Sequence, residues 1–155
     1  MKDLLPELKK GTKKALDALI LMRQKEGEEL ELDIKKRLKA IDKLGSFIEK
    51  KAPEAVQKYK ERLKLKNLDE KELNVFVERS DITEEITRLK SHLKQFFSFL
   101  ILEEPVGRML DFLTLEMLRE SSTIIAKSVD EKIAWEAMAM KQEMERIREQ
   151  VQNIE

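Results

Sequence analysis

The sequence contains no cysteine, which excludes a disulfide framework, a cysteine-ligated zinc site and thiol catalysis. With a single histidine, a cage of several histidines around a metal is excluded as well. Four glycines and three prolines stand where average usage over 155 residues gives roughly 18 of the two together. Breakers this rare, with 40% charged residues and six Phe, one Tyr and one Trp, argue against sheet and predict long helices. Long hydrophobic runs are missing too. The longest, Ala18-Leu19-Ile20-Leu21-Met22, is far short of the ~20 residues that span a bilayer, so no membrane partner is expected. The N-terminus lacks the apolar segment of a signal peptide, which makes a cytoplasmic location the expectation. Neither sign of charge dominates: 31 Lys+Arg balance 31 Asp+Glu. That balance argues against a globally basic coat for nucleic acid and leaves local basic faces open. P-loop, GxGxxG, HExxH and nucleophile-elbow motifs are absent, and no small-molecule cofactor is expected.

What is present is helical periodicity. Leu30, Ile34, Leu38, Ile41, Leu44 and Ile48 recur at steps of three and four, and the seam runs back through Leu19/Ile20 to Leu16. Gly27 is a narrow point in it. Ala52-Pro53 is expected to end this first helix, and Pro53 to open a second through Val56 and Tyr59 to Leu63. Lys64 to Leu68 reads as a connection. Asp69-x-x-Glu72, Asp81-x-x-Glu84 and Ser128-x-x-Glu131 have capping-box spacing. Ile82, Ile86, Leu89, Leu93, Phe96 and Leu100 form a core-facing stripe; Leu110, Leu113 and Met117 lead toward Ile124. The last seam (Ile133, Ala137, Met140, Met144, Ile147, Val151, Ile154) keeps a heptad rhythm that predicts coiled-coil-like packing. Met138, Met140 and Met144 read as core filler, and Trp135, outside the seam, as part of a partner face. The expectation is a single all-α domain over 1–155, an elongated hairpin or bundle of five or six helices. Within it, 1–66 forms a long hairpin and 69–155 a second helical region.

Chemistry is confined to a few polar positions. Glu116, Arg119, Glu120, Thr123 and Lys127 fall at steps of three and four and share one helix face. Two carboxylates a turn apart can share Mg²⁺ or Mn²⁺ through oxygen ligands, and an adjacent Arg and Lys can hold a phosphodiester. The same spacing equally describes a solvated face with weak ion pairs. His92 stands with Glu85 and Arg88 at the edge of its apolar stripe, placed either as a proton-transfer group or as a structural histidine. Basic clusters at Lys9-Lys10, Lys13-Lys14, Lys35-Lys36-Arg37 and Lys58 to Lys66 have acidic neighbours and few stacking aromatics.

Three blocks carry a resemblance. Asp81-Ile82-Thr83-Glu84-Glu85-Ile86-Thr87-Arg88-Leu89-Lys90-Ser91-His92-Leu93-Lys94-Gln95-Phe96, Glu104-Pro105-Val106-Gly107-Arg108-Met109-Leu110-Asp111-Phe112-Leu113 and the closing Ile147 to Glu155 resemble, in order, the C-terminal region of the YicC family of bacterial endoribonucleases. Ala15 to Leu19, Met22-Arg23, Glu26-Gly27 and Ala52-Pro53-Glu54 resemble the helical stretch preceding it. The resemblance implies metal-dependent cleavage of RNA by an oligomeric assembly with a helical C-terminal half. It also implies a further N-terminal domain in family members, beyond which this sequence begins.

The polar helix departs from the family pattern, which runs Gln-Glu-x-Asn-Arg-Glu, small, Asn-Thr, then Ser-Lys. Glu116, Arg119, Glu120 and Lys127 keep its charged members. Leu115 and Leu118 hold the Gln and first Asn positions, Ser122 the second Asn position and Ala126 a serine position, and Ala139 stands at a glutamate position. Amides orient phosphate or water through paired donors and acceptors, which leucine lacks. The expectation is therefore an RNase-like module weakened or inactive in this form. Its metal ligands are Glu116 and Glu120, its catalytic group is His92 with Glu116, Arg119 and Glu120, and Arg88, Arg108, Arg119 and Lys127 hold RNA. A homo-oligomer is expected. The alternative is a non-enzymatic helical scaffold or oligomerisation module, natural or engineered, for which Leu115 and Leu118 are packing residues.

Overall fold

The computed structural model describes residues 4–66, 69–102 and 104–153. Among them the chain is all-α: α1 (Leu4–Lys64), α2 (Glu70–Arg79), α3 (Thr83–Phe99), α4 (Gly107–Lys127) and α5 (Glu131–Val151). The described residues form two compact units, Met1–Asp33 and Ile34–Glu155.

In the first unit every described residue up to Glu29 is exposed. The seam expected through Leu16 and Leu19/Ile20 is therefore uncovered, with Leu16 53% and Ile20 55% exposed. Gly27 is no narrow point, because nothing approaches a Cβ built on it within 4 Å.

The second unit holds the core. Ile34, Leu38, Ile41, Gly45, Ile48, Ala52 and Ala55 of α1 are buried at alternating steps of four and three. Gly45 takes the place expected of Leu44, which is half-buried; a Cβ at Gly45 would lie 3.6 Å from the Leu89 side chain of α3. This rhythm passes through Pro53 without a break, so the expected second helix and the hairpin over 1–66 are replaced by one helix. The missing Pro N–H removes a rung of the ladder. Burial of Ala52 and Ala55 on either side holds the helix across the gap.

The α3 stripe from Ile82 to Phe96 is buried as expected, and so are Leu110, Leu113, Met117 and Ile124 of α4. The α5 seam is buried from Ile133 to Val151; Ile154 lies outside the described residues. Helix α4 packs against both α3 and α5. Met140 and Met144 fill the core, whereas Met138 is exposed, and Trp135 stands outside the seam.

One of the three expected caps stands and two differ. Asp69 caps α2 through the Glu72 amide at 2.7 Å. Asp81 instead accepts from the amide and hydroxyl of Thr83. At α5 the cap is Asp130, not Ser128, because its carboxylate reaches the Lys132 and Ile133 amides at once; an anion at a helix N-terminus is favoured there. The Ser128 hydroxyl donates to the Asp130 carbonyl.

Phe96 is fully buried. Phe96→Ala is expected to cost about 3–5 kcal/mol in chemical denaturation, and Trp135→Ala, at an exposed position, about 0.5 kcal/mol or less.

Candidate functional site

Helices α3 and α4 meet in an antiparallel register that two ion pairs define. Lys127, in the last turn of α4, reaches Glu85 in the first turn of α3 at 2.7 Å. It also donates to the Asp81 carbonyl at 3.2 Å. One turn further along α3, Arg88 lies 3.7 Å from Glu120 and pairs with Glu84 on its own helix. Glu85 and Glu120 are each only 7% exposed. A carboxylate that far from water needs a cation or several donors to stay ionised. Glu85 has one such partner on Oε1, while its Oε2 is buried without a hydrogen bond. Glu120 has a guanidinium beside it at more than hydrogen-bond distance.

The expected site residues fall into separate places. Glu116 pairs with Arg119 at 2.6 Å, and the Arg119 side chain is 75% exposed. Glu120 lies one turn further along the same helix, about 6 Å along the axis. His92 is half-buried, and its Nδ1 is buried without a hydrogen-bond partner. Extending the α3–α4 register by a turn brings His92 level with Glu116. Arg108 is not part of this group. It is exposed in the first turn of α4, about 28 Å along the axis from Lys127, beside Gln95, Phe99 and Phe112. Among the described residues no three His, Asp or Glu side chains converge as a metal cluster. A cation here would take its protein oxygens from the Glu116–Glu120 pair and complete its shell with water or phosphate, as Mg²⁺ commonly does.

The uncharged members of the polar face are turned inward. Ser121 and Ser122 hydroxyls donate to the Leu118 carbonyl at 3.1 and 2.8 Å, and Thr123 to the Arg119 carbonyl at 3.1 Å. Hydroxyls that donate to their own helix have no proton left for a phosphate oxygen. Leu115 and Leu118 are half-buried, and Ala126 and Ala139 are exposed.

Sequence reasoning gave Glu85 no role beyond neighbour to His92, and Asp81 none beyond a helix cap. The available signal was positional: Glu85 lies three residues after Ile82 and four before Leu89, on the buried side of the stripe. Asp81 is held below the ordinary carboxylate range, chiefly by the Thr83 hydroxyl and then by the Thr83 amide.

A family model described as endoribonuclease YicC-like, C-terminal, matches residues 34–155, the same span as the second compact unit. The chain belongs to the YicC-like family. It is 37% identical over 161 residues to the probable endoribonuclease YicC of Clostridioides difficile (strain 630), with 96% of this chain and 55% of that protein covered. It is 36% identical over 150 residues to the probable endoribonuclease YicC of Haemophilus influenzae, with 90% and 52% covered. This YicC-like chain thus spans about half the length of the curated relatives it matches. The α3–α4 ion pairs lie wholly inside the matched span.

Lys127→Met strands the Glu85 carboxylate and is expected to cost about 1–3 kcal/mol in denaturant titration. Adding Glu85→Gln should return part of that loss. Because the Asp81 pKa is depressed on folding, its contribution is complete at neutral pH and fades as pH falls through the acid range toward the folded-state value. Asp81→Ala should therefore cost about 0.5–1 kcal/mol at neutral pH and flatten the acid limb of a stability–pH curve.

Proposed function

We propose that residues 34–155 form the C-terminal half of an RNA endonuclease whose phosphodiester-binding face is the polar seam of α3 and α4. The observation that carries this reading is Glu120, a carboxylate 7% exposed and met by Arg88 only at 3.7 Å. Its stem is covered, yet neither oxygen is among the buried side-chain atoms without a partner, so the carboxylate keeps an edge open to an incoming cation. Membership of an endoribonuclease family supports the same reading.

In this proposal Glu116 and Glu120 hold Mg²⁺ or Mn²⁺, which when bound supplies charge stabilisation at a phosphoryl oxygen. Arg119, the most exposed guanidinium of the group, takes a non-bridging phosphate oxygen; Arg88 and Lys127 add positive charge along the seam. Arg108 contacts RNA farther along, at the other end of α4. His92 is the proton-transfer group of this proposal. Activity is weak or absent in this form, because Leu115 and Leu118 supply no amide and the Ser122 hydroxyl is spent on the helix backbone. Loss of one preorganised donor commonly costs ~10²–10³ in rate. We propose further that the protein acts in the cytoplasm as a homo-oligomer.

A second reading is a helical scaffold without catalysis. Half-burial of Leu115 and Leu118 favours it, as does the occupation of every carboxylate in the seam by a cation of the protein itself.

Incubation of labelled structured RNA with the chain, with and without a chelator, separates the two. Weak nicking abolished by chelation is expected, and Leu115→Gln with Leu118→Asn should raise it. If that variant gains nothing and Glu120→Gln changes nothing, the scaffold reading stands. RNA affinity should fall steeply as salt rises, since phosphate contacts dominate and stacking aromatics are scarce.

A further inference from the structure

A groove of about 460 Å³ lies between α1, the end of α2 and the start of α3, on the side of α3 that Glu49 and Ile86 border. Its floor is apolar, from Ala52, Val56, Ile82 and Ile86, and its rim carries Glu49, Glu78 and Asp81. No lysine or arginine is among its lining residues. It is therefore an apolar slot edged with negative charge, suited to an amphipathic helix with basic flanks. The chain contains one. Leu5, Leu8, Leu16 and Ile20 share a face of α1 with Lys9, Lys13 and, toward its far end, Asp17, and those four apolar side chains are 53–61% exposed.

We propose that the groove receives the 5–20 helix of a second copy of this chain, with Leu8 or Leu16 entering the slot and Lys9 and Lys13 meeting the acidic rim. Charge complementarity selects this occupant. Parallel pairing of two 5–20 helices covers the same leucines but sets lysines beside lysines, whereas the rim offers the Glu78 and Asp81 carboxylates, Glu49 being paired with Lys90. Groove and helix are different surfaces, so the contact is head-to-tail and propagates into a ring or a filament. The inference rests on the proposed self-association and is independent of RNA cleavage.

Sedimentation of the full chain at about 100 μM, well above a micromolar dissociation constant, tests it. The parent should sediment above monomer mass. Leu8→Glu/Leu16→Glu changes exposed positions only, so helicity and denaturation midpoint should be kept while the mass falls to monomer. Gln57→Lys/Glu78→Lys, at exposed lining positions, should weaken association at least about tenfold, a change of about 1.4 kcal/mol. Lys9→Glu/Lys13→Glu should weaken it similarly, and combining the two charge reversals should restore it. Mixing the leucine variant with the groove variant should give a dimer, because one intact groove meets one intact helix. A monomeric parent overturns both this inference and the self-association reading. Association that the leucine variant abolishes but the groove variant leaves unchanged means helix pairs with helix, and overturns the groove alone. Association that none of the variants alters overturns it as well.

Discussion

Helix α4 is packed on two sides, against α3 and against α5, and the polar seam follows from that constraint. A helix covered twice must bury about half its circumference, and α4 does so with Leu110, Leu113, Met117 and Ile124. Thr114, Glu120 and Ser121 are buried in the same process. Each buried polar atom then needs an internal partner. Thr114 finds one in the Leu110 carbonyl and Ser121 in the Leu118 carbonyl. Glu120 has no backbone solution and depends on α3 for Arg88. The Arg88–Glu120 pair of the seam thus also serves the close packing of α4 on α3.

The same fact frames the two readings of function. Arg88, Arg119 and Lys127 each already serve a carboxylate. An incoming phosphate must therefore compete for guanidinium and ammonium groups, and a metal must compete with them for carboxylates. Such exchange is feasible where pairs are solvent-screened, as for Arg119, and costly where they are covered, as for Lys127 with Glu85. A polyanion and a cation arriving together satisfy both halves of each broken pair, which is a reason for RNA and metal to bind interdependently.

The long periodic stripes were legible in the residues. The α3 stripe and the α5 seam are buried where their three–four spacing places them, because a helix with one apolar face has one stable way to lie on a core. Charged spacing was legible too: Glu116 and Arg119 do pair. What periodicity does not encode is which neighbour covers a face. Leu16 and Ile20 continue the α1 pattern yet are exposed, and Pro53 has the local signature of a helix start yet lies inside α1. Local propensity yielded there to burial of Ala52 and Ala55. Glu85 was hidden for a related reason, since its partner is 42 residues away on another helix. The inward hydroxyls of Ser122 and Thr123 reflect a rotamer choice that composition does not reveal.

Pro53 has one more consequence, in the order in which the molecule loosens. The Glu49 carbonyl lacks the amide that a residue at position 53 ordinarily supplies. Beyond it α1 buries only Ala55 and Leu63, with Val56 and Tyr59 half-covered, against six or seven buried residues in α4 and in α5. The 54–64 stretch therefore belongs to the low end of the local-opening scale, releasing before the central helices do. Its amide protons are expected to exchange as a separate group, ahead of the unit around Phe96 and Met117.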